Sequence, residues 1–169
     1  MTERPPEVEL AELLPARGLT IATAESCTGG LVAHRITTVA GSSAYFLGGI
    51  VAYSNALKEA LLAVPREVLE RHGAVSRECA LAMARGVRAR TGADVGLATT
   101  GIAGPGGATP QKPVGLIYVA CVTPAAEVCE EYRGEGDRIH NITLAAEMAL
   151  RLAVRLCREL PGAAPATSP

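Results

Sequence analysis

The recurrence of apolar positions divides the chain into amphipathic helices and short buried strands. Across Glu7 to Arg17, Val8, Leu10, Leu13 and Leu14 repeat near helical spacing, with Gly18 as a stop. Leu19 to Ala24 then reads as a strand, and Leu31 to Val39 returns to helical spacing. The intervening Glu25-Ser26-Cys27-Thr28-Gly29-Gly30 is therefore a strand-to-helix turn, the place where α/β sheets take ligands. Leu47 to Tyr53 predicts a second strand and Asn55 to Leu62 a short helix. Pro65 opens a helix over Arg66 to Arg71, and Ser76 caps a longer one to about Arg90. Val95 to Thr100 is a third strand, followed by a glycine-rich loop from Gly101 to Pro113. Val114 to Val122 and Glu127 to Arg133 are two further strands, made antiparallel neighbours by the Thr-Pro-Ala-Ala turn between them. Asp137 to Leu160 closes the pattern as a long helix with Leu144, Met148, Leu152 and Leu156 as its core stripe.

Helices alternating with about five strands predict one α/β domain with helices on both faces of a mixed sheet. The domain is expected over residues 1–160, and the Pro/Ala-rich residues 161–169 are expected to be disordered. No repeat interrupts it.

Charge and cysteine content narrow the function classes. Sixteen Lys and Arg against seventeen Asp and Glu leave a net charge of −1, too little positive field for a general nucleic-acid or anionic-membrane binder. The five cysteines form no C-x-x-C pair and are expected as small buried hydrophobes in a reducing cytoplasm, with no metal centre. The acidic N-terminus has no apolar segment of the kind that directs secretion. The uncharged run Ile36 to Leu57 is broken by Gly41, Gly48, Gly49 and Asn55, which argues for loops and a strand rather than a membrane span.

Three loops gather the polar and glycine residues at predicted C-terminal strand ends: 25–30, 52–58 and 99–113. The third is not a Walker A loop, because Lys112 is followed by Pro113, and Gly104 to Thr109 lacks the last glycine of a dinucleotide fingerprint. Ser26 is the candidate nucleophile, since a helix start presents both its hydroxyl and backbone N–H donors for an oxyanion. It needs a base. His34, His72 and His140 all fall in predicted helices away from these loops, and Asp94 and Asp137 are the only aspartates. Fourteen of the sixteen basic residues are arginine, which cannot give up its proton, and the two lysines, Lys58 and Lys112, both lie in the candidate loops. Lys58, beside Tyr53 and Asn55, is the better base. Cys27 is a rival nucleophile without a nearby histidine, and Glu25 is either an acid–base group or an anchor for loop backbone. Tyr45, Phe46 and Tyr53 could wall a planar or cationic ring. Arg138, at a helix start, could clamp an anion or pair with a neighbouring carboxylate.

In order along the chain, AESCTGGLVAHRIT, GSSAYFLGGIVAYSN, HGAVS, TTGIAGPGGATPQKPVG and GDR resemble the CinA C-terminal domain, also called the PncC nicotinamide-mononucleotide deamidase family. The resemblance runs from about Glu7 to Leu160. It implies a three-layer α/β/α sandwich with a mixed, mostly parallel sheet, in a stand-alone form of the domain. It also implies hydrolysis of nicotinamide mononucleotide to nicotinic acid mononucleotide and ammonia, without cofactor or metal, by a cytoplasmic enzyme that self-associates. Carried over by residue, Ser26 is the nucleophile, Lys58 the base, Tyr53 and Thr100 assist, and Arg138 anchors substrate. Backbone around Thr28, Gly29 and Gly30, or Gly101 to Gly104, would hold the oxyanion, with Tyr45 or Tyr53 against the pyridinium ring and Asn55 beside Lys58. The alternatives are a non-catalytic nucleotide-sensing or partner-binding domain of a competence- or DNA-damage-associated protein, and a serine–lysine amidase for another small amide.

Overall fold

A computed structural model describes residues 3–162. In chain order the elements are α1 (Pro6–Ala16), β1 (Ile21–Glu25), α2 (Leu31–Thr37), β2 (Phe46–Val51), α3 (Asn55–Leu62), α4 (Arg66–His72), α5 (Arg77–Thr91), β3 (Val95–Gly101), β4 (Leu116–Val122), β5 (Glu127–Arg133) and α6 (Arg138–Glu159), with a short 3₁₀ turn at Ser42–Ala44. Pro161 and Gly162 carry no regular structure, and the rest of the expected tail, 163–169, lies outside the described residues. None of the described helices is long and apolar enough to cross a membrane.

The five strands form one sheet in the order β2-β1-β3-β4-β5. β1 pairs in parallel with both β2 and β3, whereas β4 runs antiparallel to β3 and β5. Four of the five strands therefore point the same way, as the mixed, mostly parallel expectation requires. On one face, Leu10 and Leu14 of α1, Val32 and Ile36 of α2 and the buried side of α6 pack with Ile21, Leu97 and Val119. On the other, Leu62 of α3, Leu69 of α4 and Met83 and Val87 of α5 pack with Ala22, Ala24, Ala98 and Ala120. The result is a three-layer α/β/α sandwich.

Two boundaries moved for identifiable reasons. β1 extends one residue further than expected because Glu25 still has partners on both sides, Val51 and Thr99. β4 starts at Leu116 rather than Val114 because Gly115 adopts φ +89° and gives its N–H to the Ile102 carbonyl. The core stripe of α6 also differs: Leu144 and Met148 are only partly buried, while Ala145, Ala149, Leu152 and Leu156 are fully so. Alanines let this helix lie close to the sheet, and α1 and α2 cover its flanks.

The path of the chain decides where a ligand can sit. After β1 it crosses one face through α2 to β2; after β2 it returns across the other face through α3 to α5, passing β1 to reach β3. The connections leave the C-terminal ends of β1 and β2 toward opposite faces, and a crevice opens at such a switch point. Close helix packing supports this arrangement. A Cβ at Gly86 of α5 would stand 1.9 Å from the Leu62 carbonyl oxygen of α3. Gly86→Ala gains about 1 kcal/mol of helix propensity, but overpacking against fixed backbone costs about 1–3 kcal/mol. A net loss of stability is expected in urea denaturation, and an unchanged or raised midpoint would show that α3 yields freely.

Candidate active site

The turn after β1 is held by a carboxylate. The Ser26 N–H donates to the Thr99 carbonyl at 3.0 Å, adding one last rung between β1 and β3. The chain then reverses through Gly29 and Gly30, at φ +59° and +108°, conformations that favour glycine. The Glu25 side chain, fully buried, accepts from Thr28 Oγ1 at 2.5 Å and from the backbone N–H groups of Gly30, Val32 and Ala33 at 3.2, 2.8 and 3.0 Å. It thereby satisfies the donors at the start of α2, where no side chain caps the helix locally. Thr28 Oγ1 also meets Thr99 Oγ1 at 2.7 Å. Of the two roles open to Glu25 from sequence, this geometry is that of an anchor.

Lys58 reaches the turn from α3, whose N-terminus is capped by Ser54 Oγ accepting from Leu57 N–H. Its Nζ lies 2.9 Å from Ser26 Oγ, 2.8 Å from the Ala52 carbonyl oxygen and 3.0 Å from that of Tyr53. The side chain is completely buried. A carbonyl can only accept, so two amine hydrogens are committed to Ala52 and Tyr53. A neutral amine then has one lone pair left, and it faces the Ser26 hydroxyl. Burial lowers the Lys58 pKa in the same direction.

This shift has a sign for stability as well as chemistry. The folded state holds its Lys58 proton less tightly than the unfolded chain, so between the lowered and the ordinary lysine value folding releases a proton. Stability in that window rises with pH. Lys58→Met removes the dependence, so the melting temperature of the wild type should gain on that of the variant as pH rises through the window. A constant difference between the two curves would mean that Lys58 keeps an ordinary pKa.

The other sequence candidates separate into those at this point and those elsewhere. Tyr53 is exposed, and only its carbonyl touches Lys58; its phenol oxygen accepts from Arg138 Nη2 at 3.3 Å. Arg138 Nη1 donates to the Gly104 carbonyl at 2.7 Å, so this guanidinium bridges two loops rather than pairing with a carboxylate. Gly101 ends β3, and Asn55 is an exposed residue in the first turn of α3. Thr100 points to the opposite face of β3 from Thr99, the face covered by α3 to α5 from which Lys58 also comes, and donates to the Ala74 carbonyl at 2.8 Å. Tyr45 is not part of the site. Its carbonyl receives the Ile21 N–H at the start of β1, the far end of the strand from Ser26, and its ring lies in the core. Gly29 and Gly30 shape the turn, but their N–H groups are spent on the Ser26 carbonyl and Glu25. The N–H groups of Cys27 and Thr28 carry no hydrogen bond among the described residues. Burial, with the nearby Glu25 carboxylate, pushes the Cys27 thiol up to about 12, so the sulfur stays protonated.

Cys27, Tyr53, Ile102, Ala103, Gly104 and Arg138 line a cleft of about 170 Å³ beside the Ser26–Lys58 pair. A larger depression of about 490 Å³ between α3, α4 and α5 is lined by Leu62, Val68 and Leu81 and holds no nucleophile with a base. Thr99 was not singled out from sequence, although it shares a face and a register position with Glu25.

Residues 3–157 match the model of the CinA C-terminal domain. The chain belongs to the CinA C-terminal domain family. A CinA-like protein of Geobacter sulfurreducens is 52% identical over 139 residues, 81% of this chain and 34% of that protein. One from Chloroherpeton thalassium is 48% identical over 155 residues, 89% of this chain and 37% of that protein. The chain thus spans about a third of the length of these curated CinA relatives. The competence damage-inducible protein A (ComA) of Klebsiella pneumoniae superposes with a TM-score of 0.89 at 32% identity, covering 92% of this chain and 97% of that one. The competence/damage inducible protein CihA of Agrobacterium tumefaciens gives 0.85 at 38% identity over 92% and 98% of the two chains. The CinA fold therefore accounts for nearly all of the described residues.

Proposed function

We propose that Ser26 and Lys58 form the acylating centre of an amidohydrolase that converts nicotinamide mononucleotide to nicotinic acid mononucleotide and ammonia. The observation that carries this reading is the buried Lys58 amine 2.9 Å from Ser26 Oγ, with the Ala52 and Tyr53 carbonyls as its other two hydrogen-bond partners. The choice of substrate rests on the family resemblance.

Lys58 takes the Ser26 proton as Oγ attacks the carboxamide carbon. The N–H groups of Cys27 and Thr28 are the free donors next to the nucleophile, and they receive the oxyanion. Collapse of the tetrahedral species breaks the C–N bond, and the proton held by Lys58 leaves with ammonia. Water then attacks the acyl-serine and gives a proton to Lys58. Cleavage of the ester returns that proton to Ser26 and frees the carboxylate product.

The cleft is smaller than the ~300–1,000 Å³ of a typical ligand pocket, which suits a pyridine ring with the ribose phosphate extending across the mouth. Tyr53 and Arg138 stand at that mouth, an aromatic face for the pyridinium and a cation for the phosphate. Self-association belongs to the same reading, with Leu47 and Val51 exposed on the edge strand β2 as the surface that supports it.

The test is ammonia release from nicotinamide mononucleotide by the purified protein. Turnover is expected. A folded protein that releases no ammonia from this substrate overturns the reading and favours a binding role for the same cleft.

A further inference from the structure

Asn141 lies one turn into α6, 1% exposed, on a helix whose other buried residues are all apolar. Its Nδ2 donates to the Ala103 carbonyl at 3.0 Å and to the Gly136 carbonyl at 3.2 Å. Both partners can only accept, which fixes which end of the amide is nitrogen. Its Oδ1 is buried without a partner. A buried polar atom left unpaired is a cost, so the nitrogen's two bonds are what this residue contributes.

Those bonds reach the cleft. Ala103 and Gly104 both line it, and their carbonyls are held by successive side chains of the same helix turn, Ala103 by Asn141 and Gly104 by Arg138. Across a trans peptide the N–H points opposite to the C=O. Pinning the Ala103 carbonyl toward buried Asn141 therefore turns the Gly104 N–H to the other edge of the loop. That N–H has no partner among the described residues. Gly134 shows how closely the amide is seated: a Cβ there would stand 2.2 Å from Asn141 Oδ1.

We infer that Asn141 is a positioning residue that locks the peptide between Ala103 and Gly104, so that the Gly104 N–H is presented to a ligand in the cleft. The kinetic part of this inference rests on the amidohydrolase reading; the ordering of the loop does not.

Two variants test it in the full chain. Asn141→Asp keeps the shape and replaces the donor with an acceptor, and Gly134→Ala displaces the Asn141 amide without removing it. Hydrogen exchange at Ile102 and Gly115, the hydrogen-bonded N–H groups at the two ends of the loop, should speed up at least about tenfold in both, with exchange in β1 unchanged. The KM for nicotinamide mononucleotide should rise about tenfold or more while kcat stays within about threefold. Labelling of Ser26 by a small fluorophosphonate, which needs the nucleophile but little of the cleft, should proceed at the wild-type rate. Unchanged exchange at Ile102 and Gly115 overturns the inference, and so does a parallel loss of kcat and labelling, which would mark general damage. If the wild type turns over no mononucleotide, the amidohydrolase reading falls, and the exchange experiment still decides the role of Asn141.

Discussion

Ser26→Ala should lower amide hydrolysis by at least about 10³-fold while leaving the melting curve close to that of the wild type. The hydroxyl is a single small group at the end of β1, and its removal disturbs none of the bonds that Glu25 makes to the turn. Lys58→Ala and Lys58→Arg should show losses of about 10²–10⁴-fold, the usual contribution of a positioned base. The arginine variant is the more informative, because it keeps a positive charge that cannot be given up. If a charged neighbour were all that Ser26 required, Lys58→Arg would keep much of the activity. If the site needs a lone pair, it will be as inactive as Lys58→Ala. Losses in the two single variants should not add in the double variant, since nucleophile and base act as one unit. Additive losses, or turnover that survives in Ser26→Ala, would remove Ser26 from the mechanism.

Glu25→Ala should destabilise the protein by about 3–5 kcal/mol, the scale for removing one partner from a buried hydrogen-bonded charge. The reason is arithmetic of donors: three backbone N–H groups and one hydroxyl lose their acceptor at once. Glu25→Gln keeps one oxygen and should cost about 1–3 kcal/mol, mostly from setting an amide nitrogen against the N–H of Ala33 or its neighbours. Urea titration with an unchanged slope would report these losses as stability alone. Activity separates the two roles open to Glu25. As an anchor, Glu25→Gln should retain hydrolysis within about tenfold under conditions where it is folded; an acid or base in the reaction would lose about 10²–10⁴-fold. Stability within about 1 kcal/mol of the wild type for Glu25→Ala would show that glycine geometry alone holds the turn.

The legible parts of this fold were those with a local cause. The helix over Asn55–Leu62 and the strand over Glu127–Arg133 match their expected bounds, because hydrophobic spacing and neighbouring turn residues act within a few positions. The turn at 25–30 was legible for the same reason: two consecutive glycines after a buried run leave few other conformations. Lys58 stood out because it is one of two lysines among sixteen basic residues, a chemical argument that needs no coordinates.

Other assignments depended on which strand end or face a residue occupies. Tyr45 and Tyr53 are eight positions apart in sequence, yet a strand lies between them and separates the core from the cleft. Composition placed them together because it carries no direction. Thr99 and Thr100 are adjacent, and strand alternation sends one to Glu25 and Thr28 and the other to the α4–α5 connection. Arg138 and Asn141 act on carbonyls more than thirty residues away, partners that no local pattern names.

Local sterics, periodicity and the chemistry of single side chains were enough to specify the order and type of the elements, the family, and the residue types able to do acyl chemistry. That Ser26 and Lys58 meet, that Glu25 anchors the turn and that Tyr45 stands at the far end of β1 from the nucleophile came from the tertiary arrangement alone. Those facts depend on strand order and on the opposite crossings of the chain from β1 and β2, through which residues distant in sequence come to share one crevice.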